Sequence, residues 1–220
     1  MSPNEFDSSD EEHAESELTG FEVSWLSLEP AHYAAVMGIG PLPGCKFKNI
    51  RRNLFQNIEE MRAMGIQDVF VFCTLAELRK YRVPTLLQEY SKQDFVVHHH
   101  PFLDGDVPQC DALRRILDDL RACMDNNRKA LIHCYGGLEA LNTEKCTPQD
   151  PLSTDANIAA CLLMRMSDSI TPQEAIDLVQ AVRGPGAIQT IKQYNFVNEF
   201  RENMSSPPRH SEESDRALSR

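Results

Sequence analysis

Short apolar segments alternate along this chain with longer segments that carry apolar residues at helical spacing. Four segments are predicted to be strands: EVSWLSL (22–28), DVFVFC (68–73), DFVVHHH (94–100) and KALIHC (129–134). The first alternates apolar and polar residues, whereas the second and fourth are almost wholly apolar, as in strands buried on both faces. Residues 38–48, GIGPLPGCKFK, are predicted to be loop because of their glycines and prolines.

Apolar residues on one helical face predict the helices. The predicted helical segments are 51–64, 76–90 in one or two pieces broken at Pro84, 110–127, 156–169, 171–184 and 188–203. Gly65 fits the end of the first of them, and Thr154 or Asp155 fits the cap of the fourth. Thr171 followed by Glu174 forms a predicted capping box.

This order of elements predicts an α/β fold with a central, mostly parallel sheet flanked by helices. Ligands bind such folds at the carboxyl ends of the strands. Cys134 lies at one such end, and Asp104 and Asp106 lie in the loop after the strand that ends in His100. We therefore expect Cys134 and the loop of Asp104 to share one rim of the sheet.

Length and composition predict one domain with two tails. Residues 1–20 are predicted to be an acidic disordered tail, 21–203 a single domain, and 204–220 a second disordered tail. Within the domain, 139–154 is a polar stretch that contains prolines. Ser8 and Ser9 precede a run of acids, which fits either a site for acidophilic kinases or a solvated tail.

The net charge of −11 is concentrated in the N-terminal tail. The first 18 residues carry seven acids and no lysine or arginine, so subtracting this −7 from −11 leaves −4 for the other 202 residues. A mildly acidic domain argues against a nucleic-acid partner. No apolar run approaches the length of a membrane span, and the acidic N-terminus does not fit a signal peptide.

Seven cysteines without any C-x-x-C pair argue against a disulfide framework or a zinc knuckle. They favour a reducing compartment, the cytoplasm or the nucleus, including the perinuclear region. His98, His99 and His100 also suggest a metal site. Successive strand residues point to opposite faces, so all three cannot reach one ion, and we predict no metal and no cofactor.

The stretch ALIHCYGG (130–137) joins a predicted strand to a glycine-containing turn. Backbone N–H groups converge in such a turn and bind an anion, and a helix that follows adds its positive end. A thiolate at Cys134 would then be a nucleophile, and Asp104 could protonate the leaving group. The alternatives are a small buried cysteine and an ordinary turn aspartate.

The His-Cys turn resembles the active-site loop of the cysteine-dependent protein phosphatases. Motifs along nearly the whole chain, among them LPGCKFK, VFVFC, KYRVP, HHHP, LIHCYGGL, AACLL and AIQTIKQYN, resemble the kinase-associated phosphatase family within the dual-specificity group. The resemblance implies a dual-specificity phosphatase fold. It also implies binding to a cyclin-dependent kinase and removal of the phosphate from its activation-loop threonine.

The resemblance also implies roles for individual residues. Cys134 corresponds to the nucleophile that forms a phosphocysteine, and Asp104 to the general acid. The phosphate-binding turn corresponds to four residues: Tyr135, Gly136, Gly137 and Leu138. No metal ion or cofactor is implied.

The sequence departs from this family pattern directly after the turn. The family has an arginine and then a serine or threonine at the positions that hold Ala140 and Leu141 here. The link to the next helix is longer by about fourteen residues, which should detach the helix dipole from the site. Glu139 adds negative charge, and Lys145 is a weak substitute for a guanidinium.

Two functional hypotheses follow from this mixture. The chain is either a phosphatase that acts through Cys134 or a kinase-binding, phosphatase-like protein that is catalytically impaired. A thiol-redox protein is a weaker third alternative because no C-x-x-C pair is present. A splice or gene-model product would also explain the unrelated residues 139–157.

Two smaller hypotheses concern individual residues. Cys146 could form a disulfide with Cys134 under oxidation. In the last predicted helix, most of the large side chains, Ile191, Tyr194, Phe196 and Phe200, should be core. Any exposed part of them, with Lys192 and Arg201, would form a face for a partner.

Overall fold

A computed structural model describes residues 18–101, 108–134, 154–188 and 190–205 of this protein. The strands are β1 (Ser24–Ser27), β2 (Val36–Gly40), β3 (Lys46–Phe47), β4 (Ile50–Arg51), β5 (Ile66–Val71), β6 (Val96–His99) and β7 (Lys129–His133). The helices are α1 (Leu54–Ala63), α2 (Leu75–Lys80), α3 (Leu86–Lys92), α4 (Cys110–Asp125), α5 (Thr154–Met166), α6 (Pro172–Arg183), α7 (Ile191–Asn198) and α8 (Phe200–Ser205).

Five strands form the central sheet in the order β1-β2-β7-β5-β6. Only the β1–β2 pair is antiparallel, and the other three pairs are parallel. The predicted α/β fold with a mostly parallel sheet is therefore confirmed. β7 and β5 are the interior strands that the apolar sequences predicted, and the carboxyl ends of both lie on one rim.

The sheet separates two apolar layers, and alternate residues of β5 enter different layers. Val69 and Val71 pack on the side of α1, α2 and α3. Phe70 and the following Phe72 pack on the side of α4, α5 and α6. All four are buried, so β5 is covered by helices on both faces, which explains its almost wholly apolar sequence.

Helix ends follow the predicted local chemistry. Thr171 and Glu174 form the expected reciprocal capping box at the start of α6. The turn after α1 holds Gly65 at a φ of 76°, a conformation that glycine adopts without strain. Pro84 lies between α2 and α3, which confirms the interruption of that helical segment.

The predicted loop at 38–48 is wrong at both of its ends. Residues 38–40 belong to β2, and Lys46–Phe47 pairs with Ile50–Arg51 in a small hairpin. Gly38 is in a strand because its neighbours cover it: a Cβ there would lie 2.9 Å from Val23 and 3.1 Å from Leu131. Glycine in this strand therefore marks close packing rather than a turn.

The ends of the fold differ slightly from the expected pattern. The last predicted helix is two helices, α7 and α8, which meet at Glu199. The boundaries at residues 21 and 203 stay predictions, although Thr19 already accepts a hydrogen bond from the Arg51 N–H (3.0 Å) and α8 continues to Ser205. None of the helices in the described ranges has the length and apolar character needed to cross a bilayer.

Candidate active site

Cys134 follows directly after β7, at the carboxyl end of the sheet's middle strand. It is 6% exposed and forms no disulfide with another described cysteine. The backbone N–H of Phe72 donates to the His133 carbonyl (3.1 Å), which fixes the end of β5 beside this position. The geometry confirms that Cys134 lies at the rim of the sheet where ligands bind in such folds.

Most of the other predicted site residues lie outside the described residues. This holds for Asp104, for the turn Tyr135–Leu138 and for Ala140, as well as for Glu139, Lys145 and Cys146. Their roles stay predictions, and so does a disulfide between Cys134 and Cys146. No two of the described cysteines form a disulfide.

His133 anchors the end of β7 from below the rim. Its side chain is fully buried, and its Nε2 lies 2.9 Å from the Tyr90 hydroxyl in a buried hydrogen bond. Burial lowers the pKa of His133 to about 3, so the imidazole is neutral at physiological pH. The histidine before the cysteine thus has a positional role, holding the strand end from which the Cys134 side chain extends.

Replacing Tyr90 with phenylalanine should destabilise the protein by about 1–3 kcal/mol, because it leaves the buried His133 Nε2 without its partner. Urea denaturation monitored by circular dichroism measures the difference. Tyr194→Phe is the matched control, since the Tyr194 hydroxyl makes only an exposed 3.3 Å bond to Gln173. Equal losses in the two variants would contradict the anchoring role of the Tyr90–His133 pair.

Cys73 is the second cysteine at this rim, two residues after the end of β5. Its pKa is raised well above the ordinary value, first by burial and then by the charges of Cys134, Glu77 and Asp155. The Cys73 thiol therefore stays protonated.

Asp155 is a buried acid whose burial sequence reasoning missed. It is fully buried in the first turn of α5, and its Oδ1 accepts the Ala156 N–H at 2.9 Å. The prediction that the long link detaches the dipole of this helix from the site stays a prediction, because the link and the phosphate-binding turn lie outside the described residues. The first turn of α5 carries the carboxylate of Asp155, which interacts favourably with the positive end of the helix.

Arg165 is the first arginine after the disrupted turn, and it cannot replace the missing guanidinium. It lies in the last turn of α5, where its guanidinium contacts Asp118 of α4 at 3.3 Å. Ten residues of helix separate it from Asp155, a distance of about 15 Å at 1.5 Å per residue. Arg165 therefore stabilises the opposite end of the α4–α5 pair.

The prediction that most of the large side chains of the last helices are core is wrong for two of the four. Ile191 and Tyr194 are 81% and 45% exposed, whereas Phe200 is buried. Arg201 does not belong to the predicted partner face, because its guanidinium donates to the Asp168 and Ile170 carbonyls at 2.9 and 2.8 Å. The exposed apolar surface is therefore larger than expected but less basic, and its role as a partner face stays a prediction.

The three histidines of β6 and its end point to alternate faces, as predicted. The His99 Nε2 donates to the Cys73 carbonyl at 2.9 Å, on the side of the rim described above. His98 and His100 lie on the other side, both near Asp119 of α4. The expectation that all three cannot reach one ion holds, but two of them share a face.

Comparison with known proteins places this architecture in a family. A sequence profile of the Cyclin-dependent kinase inhibitor 3 (CDKN3) family matches residues 1–176. The Sus scrofa protein named Cyclin-dependent kinase inhibitor 3 is 47% identical over 217 residues, which are 99% of this chain and 96% of the relative. The Rattus norvegicus protein of the same name is 50% identical over 203 residues, 92% of this chain and 89% of the relative.

Solved structures agree with this assignment. The crystal structure of kinase associated phosphatase (KAP), with its catalytic-site cysteine substituted by serine, matches with a TM-score of 0.78 and 45% identity, covering 87% of this chain and all of that one. The active form of Tk-PTP matches with a TM-score of 0.56 and 23% identity over 76% of this chain and 91% of that one, a likeness of fold alone. This chain belongs to the Cyclin-dependent kinase inhibitor 3 family and has the fold of the dual-specificity protein phosphatases.

Proposed function

We propose that this chain binds a cyclin-dependent kinase phosphorylated on its activation-loop threonine and hydrolyses that phosphoester through Cys134. The observation that carries the proposal is the position of Cys134, at the carboxyl end of β7 and above the buried His133. Family membership supports it, because the relatives are named as inhibitors of this kinase class and the similar crystal structure has a catalytic-site cysteine.

The chemistry proceeds in two displacements. The Cys134 thiolate attacks phosphorus, the bond to the threonine oxygen breaks, and Asp104 donates the proton that this oxygen takes up. Water then attacks the phosphocysteine, Asp104 accepts the proton from water, and inorganic phosphate leaves with the cysteine restored as thiolate. Backbone N–H groups of Tyr135–Leu138 bind the non-bridging oxygens throughout.

We expect a low rate of hydrolysis because few positive groups stabilise the negative charge of the phosphoryl group in the transition state. Ala140 cannot supply the bidentate clamp that a guanidinium provides at this position. Losing one preorganised donor costs about 10²–10³ in rate, and the carboxylate of Glu139, five residues after Cys134, adds negative charge beside the phosphate. These observations favour a second candidate function, a kinase-binding protein of the phosphatase family without turnover.

Turnover by the purified full chain distinguishes the two candidates. The substrates are an aryl phosphate and a cyclin-dependent kinase phosphorylated on its activation-loop threonine, and Cys134→Ser is the blank. We expect slow phosphate release that the blank lacks, while both proteins bind the phosphorylated kinase equally. Binding without any release above the blank would overturn the hydrolytic proposal and leave the second candidate.

A further inference from the structure

A cluster of two histidines and one aspartate lies between the edge strand β6 and helix α4. His98 and His100 are two residues apart on the strand, so their side chains share the face that packs on α4. Asp119 comes from the middle of α4 and faces both. Its Oδ2 lies 3.9 Å from the His98 Nδ1 and 3.6 Å from the His100 Nε2.

A buried carboxylate behind the cluster fixes the orientation of one imidazole. The Nε2 of His98 lies 2.9 Å from the Oδ1 of Asp68, a fully buried residue of β5. The Arg128 guanidinium donates a hydrogen bond to the same Asp68 oxygen at 2.8 Å. The proton on His98 therefore belongs on Nε2, and the lone pair of Nδ1 faces Asp119. Metal-binding histidines use this same arrangement of a carboxylate behind the ring.

The second imidazole presents a ring nitrogen that the described part of the fold leaves unused. The His100 Nε2 is buried and has no hydrogen-bond partner among the described residues. An imidazole nitrogen that makes no hydrogen bond is available to donate its lone pair to a metal ion.

We propose that His98 Nδ1, His100 Nε2 and an Asp119 carboxylate oxygen bind a divalent transition-metal ion, with zinc the best chemical match. Ligands at tetrahedral angles and about 2.0–2.2 Å from zinc are about 3.4 Å apart. The separations from Asp119 are 3.6 and 3.9 Å, and one ligand atom from each of the three residues lies within 4.8 Å of the other two, so small side-chain rotations bring the set to this geometry. Asp119 is 47% exposed, which leaves a route for the ion and for a fourth, water ligand.

A neighbouring group, Asp68, His98 and Cys123, also brings three ligand types together but is less suitable. The guanidinium of Arg128 already contacts both Asp68, at 2.8 Å, and the Cys123 sulfur, at 3.6 Å. A metal ion there would have to displace this cation. Burial also raises the pKa of Cys123 to about 11, so the thiolate ligand is disfavoured.

The proposed ion would join β6 to α4, the two elements that flank residues 102–107. It would cross-link the edge of the sheet to the helix layer. Because the three ligands come together only in the folded protein, the ion would bind the folded state only. Metal binding should therefore raise the unfolding temperature of the chain. The proposal does not depend on turnover at Cys134.

The test is equilibrium dialysis of the metal-stripped, reduced full chain against Zn²⁺. We expect one tightly bound equivalent, and an affinity at least about tenfold lower in His100→Gln and in Asp119→Asn. His99→Gln and Asp118→Asn are matched controls, since these neighbours face elsewhere, and should keep wild-type affinity. Losses of equal size in the controls, or no bound equivalent in a folded wild-type chain, would overturn the proposal.

Cobalt substitution tests the ligand set directly. Co²⁺ held by two imidazoles, a carboxylate and water should show tetrahedral d–d absorption without a sulfur-to-cobalt charge-transfer band, and His100→Gln should remove it. A charge-transfer band that persists in His100→Gln would place the ion on cysteine sulfur and refute the assignment. The rise in unfolding temperature with Zn²⁺ should likewise vanish in Asp119→Asn and remain in Asp118→Asn.

Discussion

Replacing Ala140 with arginine should raise kcat/KM for the phosphorylated kinase by about 10²-fold. Position 140 is the sixth after Cys134, where the family pattern has arginine. A guanidinium there makes two parallel charge-assisted hydrogen bonds to the phosphoryl oxygens and stabilises the charge that they carry in the transition state. Because this charge is largest in the transition state, kcat should change more than KM. Initial rates of phosphate release measure both.

Two further variants distinguish the effect of the planar guanidinium on the rate from the effect of an added positive charge. Leu141→Arg carries the same charge one position away and should gain little. Ala140→Lys supplies a point charge without the planar fork and should give an intermediate gain. Equal gains in Ala140→Arg and Leu141→Arg would mean that net charge alone is limiting. No gain in Ala140→Arg, with kinase binding retained, would support the non-catalytic candidate.

The local pattern of apolar residues was sufficient to predict the strands that are covered by helices on both faces. The apolar runs around Val69 and Leu131 leave no polar side for solvent, so only an interior strand accommodates them, and β5 and β7 occupy that place. Once these two strands are parallel neighbours, their carboxyl ends must share a rim. The position of Cys134 was therefore predictable from sequence alone.

Pattern failed where packing between distant segments decides the conformation. Gly38 and Gly40 suggest a turn, but Val23 and Leu131 leave no room for a Cβ at Gly38, and β2 pairs along β7. Asp155 was considered only as one of two possible helix caps, with Thr154, because its full burial depends on the tertiary position of α5. His98 and His100 were predictable as sharing a face, whereas Asp119 joins them only through the packing of α4 on the sheet.

Replacing Arg128 with methionine should cost about 3 kcal/mol in the free energy of unfolding, because it leaves a buried carboxylate without its cation. Asp68 is fully buried, whereas the Arg128 side chain is 37% exposed and reaches water beyond the 2.8 Å contact. Asp68→Asn should therefore cost less, since the stranded guanidinium can be solvated and an amide can still bond His98. Urea unfolding in the presence of a chelator measures both without a contribution from bound metal.

The double variant Asp68→Asn/Arg128→Met tests the reason for this asymmetry. If the cost of Arg128→Met comes from the unpaired buried charge, removing that charge should restore part of the lost stability. The free energy of unfolding of the double variant should then be larger than that of Arg128→Met alone. Arg121→Met is the control for loss of a guanidinium, since its 3.7 Å contact with Asp125 is exposed on both sides. A double variant less stable than Arg128→Met would mean that Asp68 stabilises the sheet edge mainly through His98. The charge pair would then be secondary, and the carboxylate would matter chiefly as the group that orients the imidazole toward Asp119.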